Sequence, residues 1–237
     1  MIIEWLNPEG TMLFGDRGNL DVLKATFPEA TFIMTPLYSI PHFTQHTVDL
    51  VCVGSMTERM QEQMILWLTP YKEALTQRIQ HDQGMLWFGN SCEILGHKII
   101  RSNQETLGLN LYSFLVNQES IKRYNALVGL ETKYGLILGH KSTFSLLTQT
   151  EETPSFGKVV QGFGHHLTDP MEGIHDHHLI ACSLLGPLLA LNPHFTQLYL
   201  SEVLKKEVKL AFEEDLTLAY NAKRSDFETI KHYIYDK

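Results

Sequence analysis

The sequence is poor in cysteine, in basic residues and in long apolar runs, and each shortage closes off a class of protein. Three cysteines in 237 residues, Cys52, Cys92 and Cys182, are too few for a disulfide-stapled scaffold, and an odd number cannot all pair within one chain. Each sits in an apolar stretch, as buried free thiols do in a reducing compartment, so a cytoplasmic location is expected. Lysine and arginine number 19 against 27 acidic residues, a formal net charge of −8. That balance leaves no basic stripe for a phosphate backbone, and nucleic acid is not an expected partner. No stretch approaches the roughly 20 consecutive apolar residues that span a bilayer. Met1-Ile2-Ile3-Glu4-Trp5 also lacks the basic start and apolar core of a secretion signal, so neither membrane insertion nor export is expected. Internal repeats and low-complexity segments are absent too. What remains is a chain with 43% hydrophobic and 19% charged residues, ordinary for a globular domain and long enough to bury a sizeable core.

The apolar residues that are present alternate between strand-like and helix-like spacing. A Gly-rich turn at residues 15–19 runs into a helical pattern carried by Leu20, Val22, Leu23 and Ala25. Residues 30–34 form a short strand candidate. Residues 49–54 form a clearer one, a compact apolar run closed by Gly54, as in a parallel sheet buried on both faces. Residues 57–80 have helical spacing, with Pro70 expected to split them. Residues 85–88 read as the next buried strand, and helix is expected to restart at Ser91. From about 97 to 165 the pattern turns to β with loops, with strands predicted at 128–132, 136–138 and 158–163. Leu179–Cys182 is a further buried strand. Residues 188–237 read as mostly helical, ending from about Glu202 in a charged amphipathic stretch without Gly or Pro. Interleaved strands and helices predict an α/β fold with a mainly parallel sheet flanked by helices. Residues 1–200 would form the domain, and 201–237 a helical C-terminal extension of it.

The segment Met85-Leu86-Trp87-Phe88-Gly89-Asn90-Ser91-Cys92-Glu93-Ile94-Leu95-Gly96 reads as strand, tight turn and helix start. That is the architecture on which α/β hydrolytic enzymes raise a nucleophile. Here the turn position carries Gly89. Cys92 stands about one helical turn beyond it, followed two residues later by β-branched Ile94 where a sharp elbow needs a small neighbour. It reads as a core or helix-face cysteine. Ser91 is a weaker nucleophile candidate, because the second glycine of Gly-x-Ser-x-Gly is missing.

Segments in consistent order resemble one family. Gly15-Asp16-Arg17-Gly18-Asn19-Leu20 looks like an N-terminal Gly-Asp-Arg-Gly-Asn turn. Val53-Gly54-Ser55-Met56-Thr57-Glu58-Arg59-Met60-Gln61 lies where the family has a Gly-Gly-Gly-Gln-Asp loop ending in Glu-Gln. The stretch from Gly89 to Gly96 occupies the place of Cys-Gly-Gly-Tyr-Gln-Leu-Leu-Gly. Gly129-Leu130-Glu131, then Gly162-Phe163-Gly164 with Asp169 and Glu172-Gly173, follow in order. Ser183-Leu184-Leu185-Gly186-Pro187-Leu188-Leu189 with Asn192-Pro193 is similar to Tyr-Leu-His-Gly-Pro-Leu-Leu…Asn-Pro. Together they resemble the class I glutamine amidotransferases of the cobyric acid synthase type. The closest branch is the amidotransferase subunit of lipid II isoglutaminyl synthase.

The resemblance covers about residues 7–200 and implies a flavodoxin-like sheet. It also implies a chemistry in which a cysteine attacks the side-chain amide of glutamine, a histidine shuttles the proton, and ammonia passes to a partner synthetase. Matched residue by residue, the nucleophile position falls on Gly89 and the histidine position on Leu185. The loop glycines are partly replaced, by Ser55 and Met56. Neither Gly89 nor Leu185 is able to act as nucleophile or base, so no catalytic residue is expected at either, with Cys92 the one substitute. No cofactor is implied.

Asp16, Arg17, Asn19, Gly54, Ser55, Asn90, Ser91 and Glu93 are the candidates for binding a ligand or partner. For Asp16 and Arg17 the alternative is a turn held by Gly15 and Gly18, with Asn19 capping the next helix. His165, His166, His175, His177 and His178 gather with Asp169, Glu172 and Asp176 in one polar stretch. Such a set suits zinc or another divalent metal, with His165, His175 and His177 as ligands. Its spacing matches no recognised ligand pattern, however, and a solvated loop is the simpler reading. His166 or His178 would be the replacement proton shuttle.

Two functions fit. In the first, the chain is a catalytically degenerate amidotransferase-like subunit, structural or regulatory, beside a Mur-ligase-like ATP-dependent synthetase acting on a cell-wall precursor. In the second, it is an active glutaminase subunit that uses Cys92 with a loop histidine to supply ammonia for that amidation.

Overall fold

The computed structural model describes residues 1–102, 104–119, 121–149, 153–229 and 234–236. In chain order the first half contains β1 (Ile2–Leu6), α1 (Arg17–Thr26), β2 (Thr31–Thr35), β3 (Leu50–Val53), α2 (Glu58–Leu68), α3 (Lys72–Gln80) and β4 (Gly84–Phe88). Then come β5 (Lys98–Arg101), β6 (Gln104–Leu107), β7 (Phe114–Gln118), β8 (Tyr124–Thr132), β9 (Gly135–Thr143), β10 (Ser145–Gln149) and β11 (Gly157–Gln161). The chain closes with β12 (Met171–Glu172), β13 (Ile174–Asp176), β14 (Leu179–Cys182), α4 (Leu188–Leu191), α5 (Pro193–Leu204), α6 (Glu213–Thr229) and β15 (Ile234–Asp236).

The central sheet has the order β13-β14-β4-β3-β1-β2, and every pairing is parallel except β13 with β14. From β2 to β14 this is the 2-1-3-4-5 order of flavodoxin-like folds. The runs that read as doubly buried strands are so: β3, β4 and β14 are buried at every position. Their side chains alternate between two cores. Leu50, Cys52, Leu86 and Phe88 join the apolar residues of α1, α4 and α5, whereas Val51, Val53, Met85 and Trp87 join those of α2 and α3. Each fully buried aliphatic or aromatic side chain contributes about 1.5–3 kcal/mol. Thr57 caps α2 by accepting from Met60 N, and Pro70 lies in the 3₁₀ turn that separates α2 from α3, as its ring dictates.

Three sequence expectations change. Helix does not restart at Ser91: Gly89–Leu95 is a 3₁₀ turn. The carbonyls of Ile94 and Leu95 are taken by the amides of Leu109 and Leu111, and Gly96 lies so close to the Phe114 ring that the chain leaves directly into β5. Between 97 and 165 there are more strands than expected. They form a sheet β10-β7-β5-β6 and, with β12 and β15 from later in the chain, a sheet β12-β11-β8-β15 with β9 on the other edge of β8. Several of these strands are four or five residues long and partly exposed, so their alternation is weak. Finally, the C-terminal segment is not helical throughout. Lys205 ends α5 in a left-handed conformation (φ 52°), and Ile234–Asp236 pairs antiparallel with Tyr124–Ala126. β11 covers only Gly129–Glu131 of that edge of β8, which leaves room for β15. Residues 230–233 and 237 lie outside the described residues. Among the described residues no helix is long and apolar enough to cross a membrane.

Candidate functional site

Parallel α/β sheets bind ligands at the carboxyl ends of their strands. At that edge β4 runs into Gly89, which adopts φ +58°, a left-handed turn that glycine takes without strain. The elbow backbone is therefore present, but the space in front of it is filled. A Cβ added at Gly89 would lie 2.2 Å from Ser55 Oγ and 3.0 Å from Leu185 Cδ2. Ser55 is completely buried, and among the described residues its hydroxyl makes no well-aligned hydrogen bond, although the Asp16 carboxyl lies close by. Leu185 is delivered by a bridge to β9, its N–H donating to His140 O at 2.7 Å.

The loop after β3 is pinned from both sides. Gly54 admits no side chain, because a Cβ there would lie 2.0 Å from Thr11 O. Asp16 Oδ2 accepts from Ser55 N at 2.5 Å, and Asn90 Oδ1 accepts from Met56 N at 2.9 Å while Asn90 Nδ2 donates to Met56 O at 2.8 Å. The loop donors nearest the turn are thus committed within the protein, and neither is turned toward a developing negative charge. Burial raises the Asp16 carboxyl to about 6, against the pull of its bonds from Ser55 and Asn19. Asn19 does not cap the helix in which it lies. Its Oδ1 accepts from Leu189 N at 2.8 Å in the first turn of α4, and its Nδ2 donates to Asp16 at 3.2 Å. Arg17 points into solvent and pairs with Asp21 at 3.0 Å.

A cleft of about 150 Å³ opens beside the turn, lined among others by Met56, Asn90, Glu93, Arg123, Phe144 and Leu185. Glu93, on its floor, accepts from Gln61 Nε2 at 2.8 Å and bonds to Ser145; burial pushes its carboxyl up to about 7. The Arg123 guanidinium lies 4.5 Å over the Phe144 ring. Ser91 Oγ lies 2.7 Å from Phe88 O, to which it donates, and is not poised as a nucleophile.

Behind the turn a much smaller cavity, about 10 Å³, is bordered by Cys92, His165, Glu172 and Ser183. Cys92 packs in the core with Trp87, Ile94 and Phe114, and burial pushes its thiol well above the ordinary range, reinforced by Glu93 and Glu172. His165 has both ring nitrogens engaged, one 3.2 Å from Gln149 Nε2 and the other 3.2 Å from Gly173 O. Next to it is an ion pair that the sequence reading missed. Lys141 Nζ donates to Glu172 Oε2 at 2.7 Å and to Gly164 O at 2.6 Å, and Ser183 donates to Glu172 Oε1 from both N and Oγ. Burial opposes the charge on Glu172, but Lys141, His165 and these bonds hold its carboxyl well below the usual range. The signal was period-two alternation: Ile137, Gly139 and Lys141 share the buried face of β9.

The histidine cluster does not assemble. His165 is behind the turn. His175 and His178 flank the opposite end of β14, where His178 O accepts from Met85 N, so His178 sits about 13 Å along β4 from Gly89. His177 is exposed and pairs with Asp176 at 2.9 Å, and His166 is exposed. Among the described residues no group of three His, Cys, Asp or Glu side chains is arranged to hold a metal ion. His165, His175 and His177 are thus not a ligand set, and His178 is not within reach of the elbow.

No family model matches the chain. Over 198 residues it is 22% identical to the lipid II isoglutaminyl synthase (glutamine-hydrolyzing) subunit GatD of Staphylococcus aureus (strain N315), covering 82% of this chain and 81% of that protein. A solved glutamine amidotransferase matches with a TM-score of 0.55 at 14% identity, over 86% of this chain and 99% of its own. Another, from Thermotoga maritima, gives 0.49 at 8% identity over 97% and 92%. The first of these structures shows the fold: this chain is built as glutamine amidotransferases are.

Proposed function

We propose that this chain is a catalytically silent, glutamine amidotransferase-like subunit with a structural or regulatory role beside a Mur-ligase-like, ATP-dependent amidating synthetase in the cytoplasm. The observation that carries the reading is the elbow. Gly89 offers no nucleophile, and the volume a cysteine would need is held by Ser55 and Leu185. The commitment of the Ser55 and Met56 amides supports it, because acyl-transfer chemistry needs free donors as well as a nucleophile and a base. The partner follows from the similarity to a synthase subunit, since a scaffold role requires only the outer surface of the fold.

A second reading, an active glutaminase working through Cys92, rests on one observation: Cys92 and His165 border the same cavity. Burial of the thiol and the engaged nitrogens of His165 weigh against it. Ammonia release from glutamine decides between them, measured for the chain alone and for the chain co-expressed with a Mur-ligase-like synthetase, in wild type and Cys92→Ala. The first reading expects no release in any arm and co-purification of the pair. Release that vanishes in Cys92→Ala would overturn it in favour of the second.

A further inference from the structure

The edges of the sheets are protected in different ways. At one end of the central sheet β13 is covered, His175 N donating to Pro154 O at 3.1 Å, and it carries Asp176. In the outer sheet Leu147 N of β10 donates to His165 O at 2.8 Å, and β6 carries Glu105. β2, at the other end of the central sheet, has neither device. Its residues, Thr31-Phe32-Ile33-Met34-Thr35, include no charge, proline or bulge. Thr31 N donates to Met1 O at 3.0 Å and Thr35 O accepts from Asn7 N at 2.8 Å, so Thr31, Ile33 and Thr35 direct their backbone groups at β1. Phe32 and Met34 direct theirs away from the sheet, where no hydrogen bond among the described residues reaches them. The side chains of Phe32 and Met34 pack on the core under α1, and Lys24 lies 5.7 Å over the Phe32 ring on that face, not across the edge. Ile33 points to the opposite face and joins neither core. Tyr38 and Ile40, each 57% exposed, follow the strand and extend its apolar strip. Free edges in soluble proteins are blunted by charge, proline, bulges or cover, and an edge lacking all of them calls for a covering strand.

We propose that β2 is a self-association surface, pairing antiparallel with β2 of a second copy of this chain about a two-fold axis through Ile33. Centred there, the pairing sets Phe32 of each copy against Met34 of the other. These are the residues whose N–H and C=O are free, and each such pair exchanges both bonds. Thr31 then faces Thr35, and the two Ile33 side chains face each other, matched pairs that stabilise an antiparallel ladder. Neighbouring registers fail. Centred on Met34, Phe32 would face Pro36, which has no N–H. Centred on Phe32, Met34 would face Ala30, whose N–H is already given to Phe27 O at 3.0 Å. The strand is thus complementary to itself in one register. Charge selects the same occupant: two chains of formal net charge −8 repel over most of their surfaces, and β2 offers them an uncharged line of approach. β1 and β3 separate β2 from β4 and the elbow, so the pairing stands apart from the proposed activity and partner.

The test is sedimentation equilibrium of the full chain over a wide range of concentration. Wild type is expected to move from the mass of one chain toward that of two as concentration rises. Ile33→Lys sets two ammonium groups opposite each other on the axis and is expected to stay at the mass of one chain. Its far-UV circular dichroism is expected to match wild type, because Ile33 packs in neither core. Ile33→Cys leaves the edge uncharged and reports the register. Its Cβ atoms would face each other about 4.5–5.5 Å apart, and mild oxidation is expected to close a disulfide between copies after a small shift. Thr31→Cys, whose copies would lie about 13 Å apart along the ladder, is expected not to cross-link. The native thiols are buried and do not compete. A wild type that keeps the mass of one chain, an association undiminished in Ile33→Lys, or cross-linking through Thr31→Cys in preference to Ile33→Cys overturns the proposal. A monomeric wild type that captures a Mur-ligase-like synthetase, with capture lost in Ile33→Lys, also overturns it and gives the edge to that partner.

Discussion

Two buried carboxylates within the same end of the molecule meet the cost of burial in opposite ways. Glu172 has Lys141 at 2.7 Å and two donors from Ser183, and remains ionised. Glu93 has a glutamine and a serine, and drifts toward neutrality. Burial is nearly the same for both, at 1% and 2% exposure, so neighbours and not depth decide the charge. Behind the elbow the polar network is closed and complete. Beside the cleft Glu93 is bonded by neutral donors, and among the described residues the buried Ser55 hydroxyl makes no well-aligned hydrogen bond.

The contrast is broken most severely at Lys141. Lys141→Met leaves Glu172 charged, buried and without its cation, and should cost about 3–5 kcal/mol in urea unfolding. The double change Lys141→Met with Glu172→Gln should recover part of that loss, since an unpaired charge costs more than the pair contributes. A single Lys141→Met cost no larger than that of an exposed lysine would remove the distinction between the two sites.

A pH series sharpens the same contrast, because the two environments have opposite signs. Asp16 (3.8 raised to about 6) and Glu93 (4.5 raised to about 7) hold protons more tightly folded than unfolded. Their contribution is fully present below their unfolded values and is lost as pH rises through about 6 and 7. Glu172, held low, contributes above its unfolded value of 4.5 and loses that as pH falls through its folded value. Comparing the double variant Asp16→Asn, Glu93→Gln with wild type should show a stability difference that grows from pH 4 to 7 in favour of the variant, by about 3 kcal/mol for each group at most. A difference that does not change with pH would mean that neither carboxyl is shifted.

At the elbow the expected effect is smaller and specific. Gly89→Cys puts a Cβ 2.2 Å from Ser55 Oγ on a backbone at φ +58°, and should cost about 1–3 kcal/mol. Adding Ser55→Gly should return most of the packing loss. Introducing cysteine alone should yield no glutaminase activity, because Leu185 beside the turn is not a base and the loop amides remain committed. Hydrolysis by the single variant would show the site to be one residue from activity.

The sequence made the frame legible because doubly buried strands are compact apolar runs, and β3, β4 and β14 are such runs. The elbow was legible for the same reason, with glycine marking its turn. The filling of the elbow was not. It depends on a serine from another loop and a leucine from another strand end, and no local pattern reports a contact across the sheet. Lys141 went unnoticed because a lysine in a strand ordinarily faces water, and here β9 turns it inward. The histidines misled in the other direction: neighbours in sequence between 165 and 178, they are drawn to opposite ends of β14 by the β13–β14 hairpin.

The smallest effect comes from the most conspicuous motif. Arg17 lies in a turn whose buried members have structural tasks: Asp16 holds the Ser55 amide and Asn19 holds α4. Arg17 itself is exposed and pairs along its own helix with exposed Asp21. Such a pair contributes between about 0 and 0.5 kcal/mol and is screened by salt. Arg17→Ala should therefore leave the unfolding midpoint unchanged, in contrast to Lys141→Met, although both remove a cation from a carboxylate. The same variant reports on the surface. With folding unaffected, weaker capture of a Mur-ligase-like synthetase by Arg17→Ala would assign this arginine to partner binding, and undiminished capture would leave the turn a purely internal brace.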